Sequence, residues 1–75
     1  MLLENEYQIV NDNRVPELVK TIHYEYLNDD DMIITIEHIK SHIVEVKEIV
    51  DNKVYSIKTI WKDKDETTIK TYHYL

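Results

Sequence analysis

Apolar residues recur at every second position over much of this chain, most regularly between Met32 and Trp61. The stretch reads as three strands in succession, MIITIEHI, HIVEVKEIV and VYSIKTIW, joined only by Lys40-Ser41 and Asp51-Asn52. In the first, Met32, Ile34, Ile36 and His38 share one face, and Ile33, Thr35, Glu37 and Ile39 the other. In the third, Tyr55, Ile57, Thr59 and Trp61 oppose Val54, Ser56, Lys58 and Ile60. β-Branched and aromatic residues dominate throughout, as a pleated, half-buried surface favours. A helix would need apolar spacing of three and four, and charged residues interrupt that spacing at almost every turn.

The middle strand breaks the alternation. Val44, Val46 and Val50 share a parity with Glu48, while Ile43 and Ile49 take the other. A β-bulge near Lys47-Glu48 would restore the pattern, since one extra residue re-aims everything after it. The alternative is partial covering of both faces.

The flanks extend this grammar. Tyr7 and Ile9 alternate with Glu6 and Gln8, so a strand is expected near Met1–Val10, followed by a turn at Asn11–Arg14. Pro16 suits a strand start or an edge. Residues 16–27 carry two patterns: Leu18, Val19, Ile22 and Tyr26 lie on a helical stripe, whereas Ile22, Tyr24 and Tyr26 alternate with Thr21, His23 and Glu25. The strand reading is preferred. Asn28–Asp31 and Lys62–Glu66 are polar turns, and Thr67–Leu75 closes the chain as a strand with Tyr72 and Tyr74 on one face. A weak echo at an offset of about 35 residues relates IHYEYLNDDDMIITIEHI to IKTIWKDKDETTIKTYHY, which hairpin grammar explains as well as duplication does.

The expected fold is therefore all-β: one small domain spanning 1–75, an antiparallel meander of five or six twisted strands, with curling into a partial barrel as its extreme. The alternative is α+β, with a helix at about 16–27 on a four-stranded sheet. Apolar residues on both faces of strands in so short a chain predict self-association as a homodimer.

Composition narrows the function. The chain has 75 residues and no cysteine, so neither a disulfide nor a thiolate metal site can reinforce a fold of marginal size. A reducing, cytoplasmic setting fits that, and no apolar run approaches transmembrane length. With no glycine, turns that need positive φ must use Asn or Asp, and Asn11, Asn13, Asn28 and Asn52 stand where turns are expected. Arg14 and Pro16 are the sole arginine and proline, and alanine is absent, which points to an AT-rich gene of a low-GC bacterium, a phage or a mobile element.

Nine basic residues face fifteen acidic ones, for a net charge of −6, which excludes direct nucleic-acid binding through a basic patch and no membrane contact is expected. A basic or nucleic-acid-binding protein is the partner such a charge suits. Without glycine there is no phosphate-cradling loop, and Ser41 and Ser56 lie in no nucleophile elbow, so no enzyme activity is expected. Among the four histidines, His38 and His42 flank a short turn, and a metal would need a third ligand such as Glu37 or Glu45. That spacing matches no metal motif, and no cofactor is expected.

Two groups remain as candidates for partner binding. The aromatic set Tyr24, Tyr26, Tyr55, Trp61, Tyr72 and Tyr74, seven aromatics with Tyr7, suits a surface that is apolar at one end and wet at the other, with Tyr24, Tyr26, Trp61, Tyr72 and Tyr74 as the contact candidates. In a meander every second turn lies at the same end of the sheet, which gathers Asp29, Asp30, Asp31 and Asp51 against Lys53 alone. Those tip charges are expected to steer a basic partner and to contribute little to stability. The profile, tiny, acidic, glycine-free and without a catalytic motif, resembles the small accessory proteins that phages deploy against host enzymes, in style and not in motif. The expected function is that of a small acidic binding protein that inhibits or modulates a host protein, a defence or nucleic-acid enzyme. The alternatives are a small-molecule or metal binder using the His and Tyr faces, and a structural subunit of a larger assembly.

Overall fold

A computed structural model describes residues 2–9 and 16–74. Among them the chain forms six strands and no helix: β1 (Leu2–Ile9), β2 (Pro16–Tyr26), β3 (Met32–His38), β4 (Ile43–Val50), β5 (Lys53–Trp61) and β6 (Glu66–Thr71). Every strand pairs antiparallel with its sequence neighbours, in one sheet of order β1-β2-β3-β4-β5-β6. This is the expected meander, and the sheet stays open: β1 and β6 are its edges and no barrel closes. The helical alternative for 16–27 fails because Ile22, Tyr24 and Tyr26 pair across to Ile36, Ile34 and Met32, a cross-strand apolar match that a lone helical stripe could not obtain. The expected turn at Asn11–Arg14 lies outside the described residues.

The turns show how a chain without glycine reverses direction. Asp51 and Asn52 take φ of 52° and 60°, as the two central residues of a type I′ hairpin turn require. Asp65 (φ 53°) and His42 (φ 56°) supply the other left-handed positions among the described residues. Asn52 thus behaves as expected, and the histidine does not. Asn28 works differently: its Oδ1 accepts the backbone N–H groups of Asp30 and Asp31, both at 2.9 Å, so the side chain makes the turn. The two segments that echo one another are therefore hairpins of different construction.

The parity break in β4 needs no bulge in that strand: Ile43 and Ile49 lie on one face and Val44, Val46 and Glu48 on the other, so apolar residues stand on both faces. β4 alternates without interruption against β3 from Ile43 to Ile49. The register shift lies in the β4–β5 pair, where Glu48 faces Ser56 and Ile49 faces Val54, so the skipped residue is Tyr55 on β5. A second shift lies between β1 and β2, where Glu6 faces Lys20 and Tyr7 faces Leu18, and Val19 is passed over. The closing strand is also shorter than expected. It ends at Thr71, opposite Ser56, because the Tyr55 bulge diverts the ladder beyond that point.

The pairings sort the sheet into two unlike faces. One carries Ile22, Tyr24, Tyr26, Met32, Ile34, Ile36, Ile43, Ile49, Ile57 and Trp61, interrupted at its centre by Glu45 and Lys47. The other carries Ile33, Val44, Val46, Ile60 and Ile69 among Thr21, His23, Thr35, Glu37, Glu48, Lys58 and Thr67. Among the described residues no second layer covers either face. None of the described residues is buried, and the interior strands reach only half-burial. A single layer can hide a side chain only against its neighbours on the same face, so each isoleucine realises part of the roughly 1.5–3 kcal/mol that full burial would yield.

The β4–β5 hairpin leans on its turn residues. Asn52→Ala removes a residue that tolerates positive φ and also its Nδ2 bond to Asp30 Oδ1, which spans 3.0 Å. The expected cost is about 1–2 kcal/mol, read as a lower urea midpoint with an unchanged slope.

Candidate functional site

The end of the sheet where β2 turns into β3 and β4 into β5 is more constructed than any other part of the surface. Leu27 N and Asn28 N both donate to Asp31 O, at 3.0 and 3.3 Å, closing the first turn. Asn28 Nδ2 donates to Asp31 Oδ2 at 2.8 Å. Asp31 Oδ1 reaches the second turn, where it accepts the backbone N–H of Asp51 at 3.0 Å. The turns are also joined through Asn52 N, which donates to Asp30 O at 2.9 Å. Asp29, Asp30, Asp31 and Asp51 are therefore brought together at one end, as alternation in a meander requires.

Their roles differ. Asp31 is the tie between the hairpins, and its donors, Asn28 first and then the Asp51 amide, hold its carboxyl below the ordinary carboxylate value. Asp30 accepts from Asn52. The expectation that all these aspartates are spare tip charges is corrected here: Asp30 and Asp31 make side-chain hydrogen bonds that the turns use. Asp29 makes no side-chain hydrogen bond among the described residues, and Asp51 contributes its backbone to the tie while its carboxylate stays exposed.

Beside this acidic corner lies an open cleft of about 300 Å3, lined by Val50, Asp51, Lys53, Tyr55, Tyr72, His73 and Tyr74. It exists because β6 stops early. Tyr72 N donates to Tyr55 O at 3.0 Å, and the chain then crosses the bulge so that the Tyr74 hydroxyl donates to Val54 O at 2.8 Å. Lys53 Nζ stands 5.3 Å from the centre of the Tyr74 ring, a cation–π distance that places the cation of this end against an aromatic face. The expected placing of Tyr72 and Tyr74 on one face of a closing strand is thus replaced by a wall of a cleft.

The other predicted aromatics divide. Tyr26 ends β2 at the acidic corner and is exposed. Tyr24 stands further along the same face, where partial desolvation first and the Glu4 carboxylate next hold its phenol above the usual value. Trp61 is at the opposite end, paired with Ile43 and Glu66, and does not join the others. Of the remaining cleft residues, Tyr55 and His73 were read from the sequence only as members of the aromatic and histidine sets, Lys53 only as the lone cation of this end, and Val50 only as a strand residue. The bulge at Tyr55 left no mark in the sequence, because the parity change at Glu48 reflects apolar residues on both faces of β4.

At the far end the charges are mixed. Lys40 reaches Glu17 at 3.0 Å and Lys62 reaches Glu37 at 3.4 Å. His38 Nε2 meets Glu45 Oε1 at 2.7 Å, while His42 Nδ1 lies 3.7 Å from Asp63, so the two histidines turn to different partners. Among the described residues no three His, Asp or Glu side chains gather as a metal site would need, and no helix is long and apolar enough to cross a membrane. Comparison with known proteins finds no matching family model, no matching curated protein and no matching solved structure.

The depressed Asp31 carboxyl links stability to pH. Because its folded value lies below its unfolded one, its contribution is complete above the ordinary carboxylate range and is lost as pH falls through the folded value. Asp31→Asn keeps the shape but turns an amide toward Asn28. The variant is expected to be less stable at neutral pH and to lose less stability on acidification, measured as denaturant midpoints across the acid range. An acid dependence equal to that of the wild type would contradict Asp31 as the titrating tie.

Proposed function

We propose that this protein acts by binding another protein, as a small acidic inhibitor or modulator of a basic or nucleic-acid-binding partner. The observation that carries the reading is the end of the sheet, where two aspartate turns are locked together beside a tyrosine-lined cleft. One-signed charge on a rigid frame raises the encounter rate with a cation, and tyrosines beside it provide contact area at low entropic cost. Asp29 and Asp51 supply charge that no turn hydrogen bond consumes, Tyr72 and Tyr74 line the cleft beside Asp51, and Tyr26 ends β2 on the more apolar face. Tyr24 lies further along the face, and Trp61 falls outside this surface.

The setting of such a protein, a phage or mobile element acting on a host defence or nucleic-acid enzyme in the cytoplasm, rests on composition: fifteen acidic residues, no glycine and no cysteine. The small-molecule reading has one observation in its favour, the cleft itself, whose walls present Tyr55, Tyr72, His73 and Tyr74. Its openness and the engagement of the Tyr74 hydroxyl with Val54 favour a protein side chain over an enclosed ligand.

The test uses immobilised protein and a lysate of the host, with proteins retained at low salt and released as salt rises. The double variant Asp29→Asn, Asp51→Asn removes charge and spares the turns, since Asn also tolerates the φ of 52° at position 51. The basic protein retained by the wild type is expected to bind the variant on the order of tenfold more weakly and with a shallower salt dependence. Equal retention and equal salt dependence would remove the acidic end from the partner surface.

A further inference from the structure

The more apolar face of the sheet is laid out in rows that the strand register fixes. One row runs Leu2, Tyr24, Ile34, Lys47, Ile57, Lys70 across the six strands. The next runs Glu4, Ile22, Ile36, Glu45, Thr59, Thr68, and the one beyond it Glu6, Lys20, His38, Ile43, Trp61, Glu66. On the other side of the first row stand Tyr26, Met32, Ile49 and Val54. The face therefore balances Lys20, Lys47 and Lys70 against Glu4, Glu6, Glu45 and Glu66, although the chain as a whole carries −6.

The molecule also exposes more surface than its size warrants. A compact monomer of 9.1 kDa exposes about 4,900 Å2, whereas this chain exposes 5962 Å2. The excess, about 1,000 Å2, is comparable to the roughly 800 Å2 that each partner hides in a stable interface. The radius of gyration, 14.8 Å, likewise exceeds the roughly 11 Å expected of a compact chain of this length.

We infer that a second copy of this chain covers this face, packed sheet on sheet about a two-fold axis that lies in the interface, crosses the strands and passes between the Ile34 and Ile36 rows. Such an axis lays each strand over its own counterpart, reversed. Lys47 of one copy then stands over Glu45 of the other, and the same pair forms again on the far side of the axis. Ile34 meets Ile36, Tyr24 meets Ile22, Ile43 meets Ile49, and Trp61 meets Val54. The two charges that interrupt the centre of an otherwise apolar face are thereby matched, and Glu45 keeps His38 on its own copy.

The alternative two-fold, parallel to the strands, lays β3 over β4 of the other copy. Ile36 would then cover Glu45, and Ile34 would cover Lys47, which buries both charges against isoleucine at high cost. It would also stack the two acidic ends on one another. The axis across the strands instead sets the end bearing Asp29, Asp30, Asp31 and Asp51 beside the mixed end of the other copy, where Lys40, Lys62 and Lys64 stand among Glu17, Asp63, Asp65 and Glu66. Charge selects this axis at the centre, and at the ends the same axis keeps the two acidic corners apart. The aligned geometry, with strands crossing at about 30°, is that of ordinary sheet-on-sheet packing.

Sedimentation velocity at micromolar concentration tests the interface and its register together. The wild type is expected to run as a dimer. Glu45→Lys and Lys47→Glu each set like charges opposite one another across the axis, and each alone is expected to weaken the dimer by on the order of tenfold or more. An equimolar mixture of the two variants sets lysine over glutamate at both positions and is expected to recover the dimer, even where each variant alone is poorly folded. Lys58→Glu, on the other face, leaves the wild-type dimer unchanged. A wild-type monomer, single variants as dimeric as the wild type, or a mixture that fails to recover would each overturn the proposal, as would a dimer broken by Lys58→Glu.

Discussion

A sheet one layer thick cannot hide its own side chains. Backbone hydrogen bonds hold six strands in line, but they are close to neutral in net free energy, and the apolar term has to come from surface removed from water. Here a half-buried isoleucine has neighbours to either side and nothing above it. None of the described residues is fully buried. The exposed ion pairs do not remedy this, since pairs such as Lys40–Glu17 at 3.0 Å contribute little in water. Folded domains are generally built from two or more packed layers, and the described residues supply one.

The polar chemistry concentrates where the layer is thinnest in support, at its ends. Joining two neighbouring hairpins through Asp31 and Asn52 makes one rigid corner from two turns that would otherwise fray. Tyr74 performs a similar service at the end of the chain, where its hydroxyl anchors residues beyond β6 to Val54. Both devices use side chains, Asp31 and Tyr74, to join segments that the strand ladder does not pair. The rigidity they confer is also what a recognition surface requires, as groups held in place before contact lose less entropy on binding.

Strand identity was legible because period two is a direct imprint of the pleat, and the alternation of Ile22, Tyr24 and Tyr26 outweighed a helical stripe through the same residues. The meander and the gathering of four aspartates at one end followed from short connections alone. The bulge was not legible. Parity in β4 suggested a bulge near Glu48, but that strand alternates without interruption with apolar residues on both faces, and only the pairing with β5 reveals the bulge at Tyr55. The cleft depends on that bulge and on the early end of β6, so the sequence offered Asp51, Tyr72 and Tyr74 as contact residues without showing that they line one cleft. Asp31 and Asp29 look alike in a sequence, and only hydrogen-bond geometry separates a structural carboxylate from a free charge.

The central claim is that this sheet is stable because a second layer, supplied by another copy, covers its isoleucine face. Association of that kind couples folding to concentration, since mass action stabilises the folded dimer as protomer concentration rises. The direct measurement is the thermal unfolding midpoint over a hundredfold range of protein concentration. A midpoint that climbs steadily with concentration is the predicted result. A midpoint independent of concentration would mean that the single layer stands alone, and would contradict the claim.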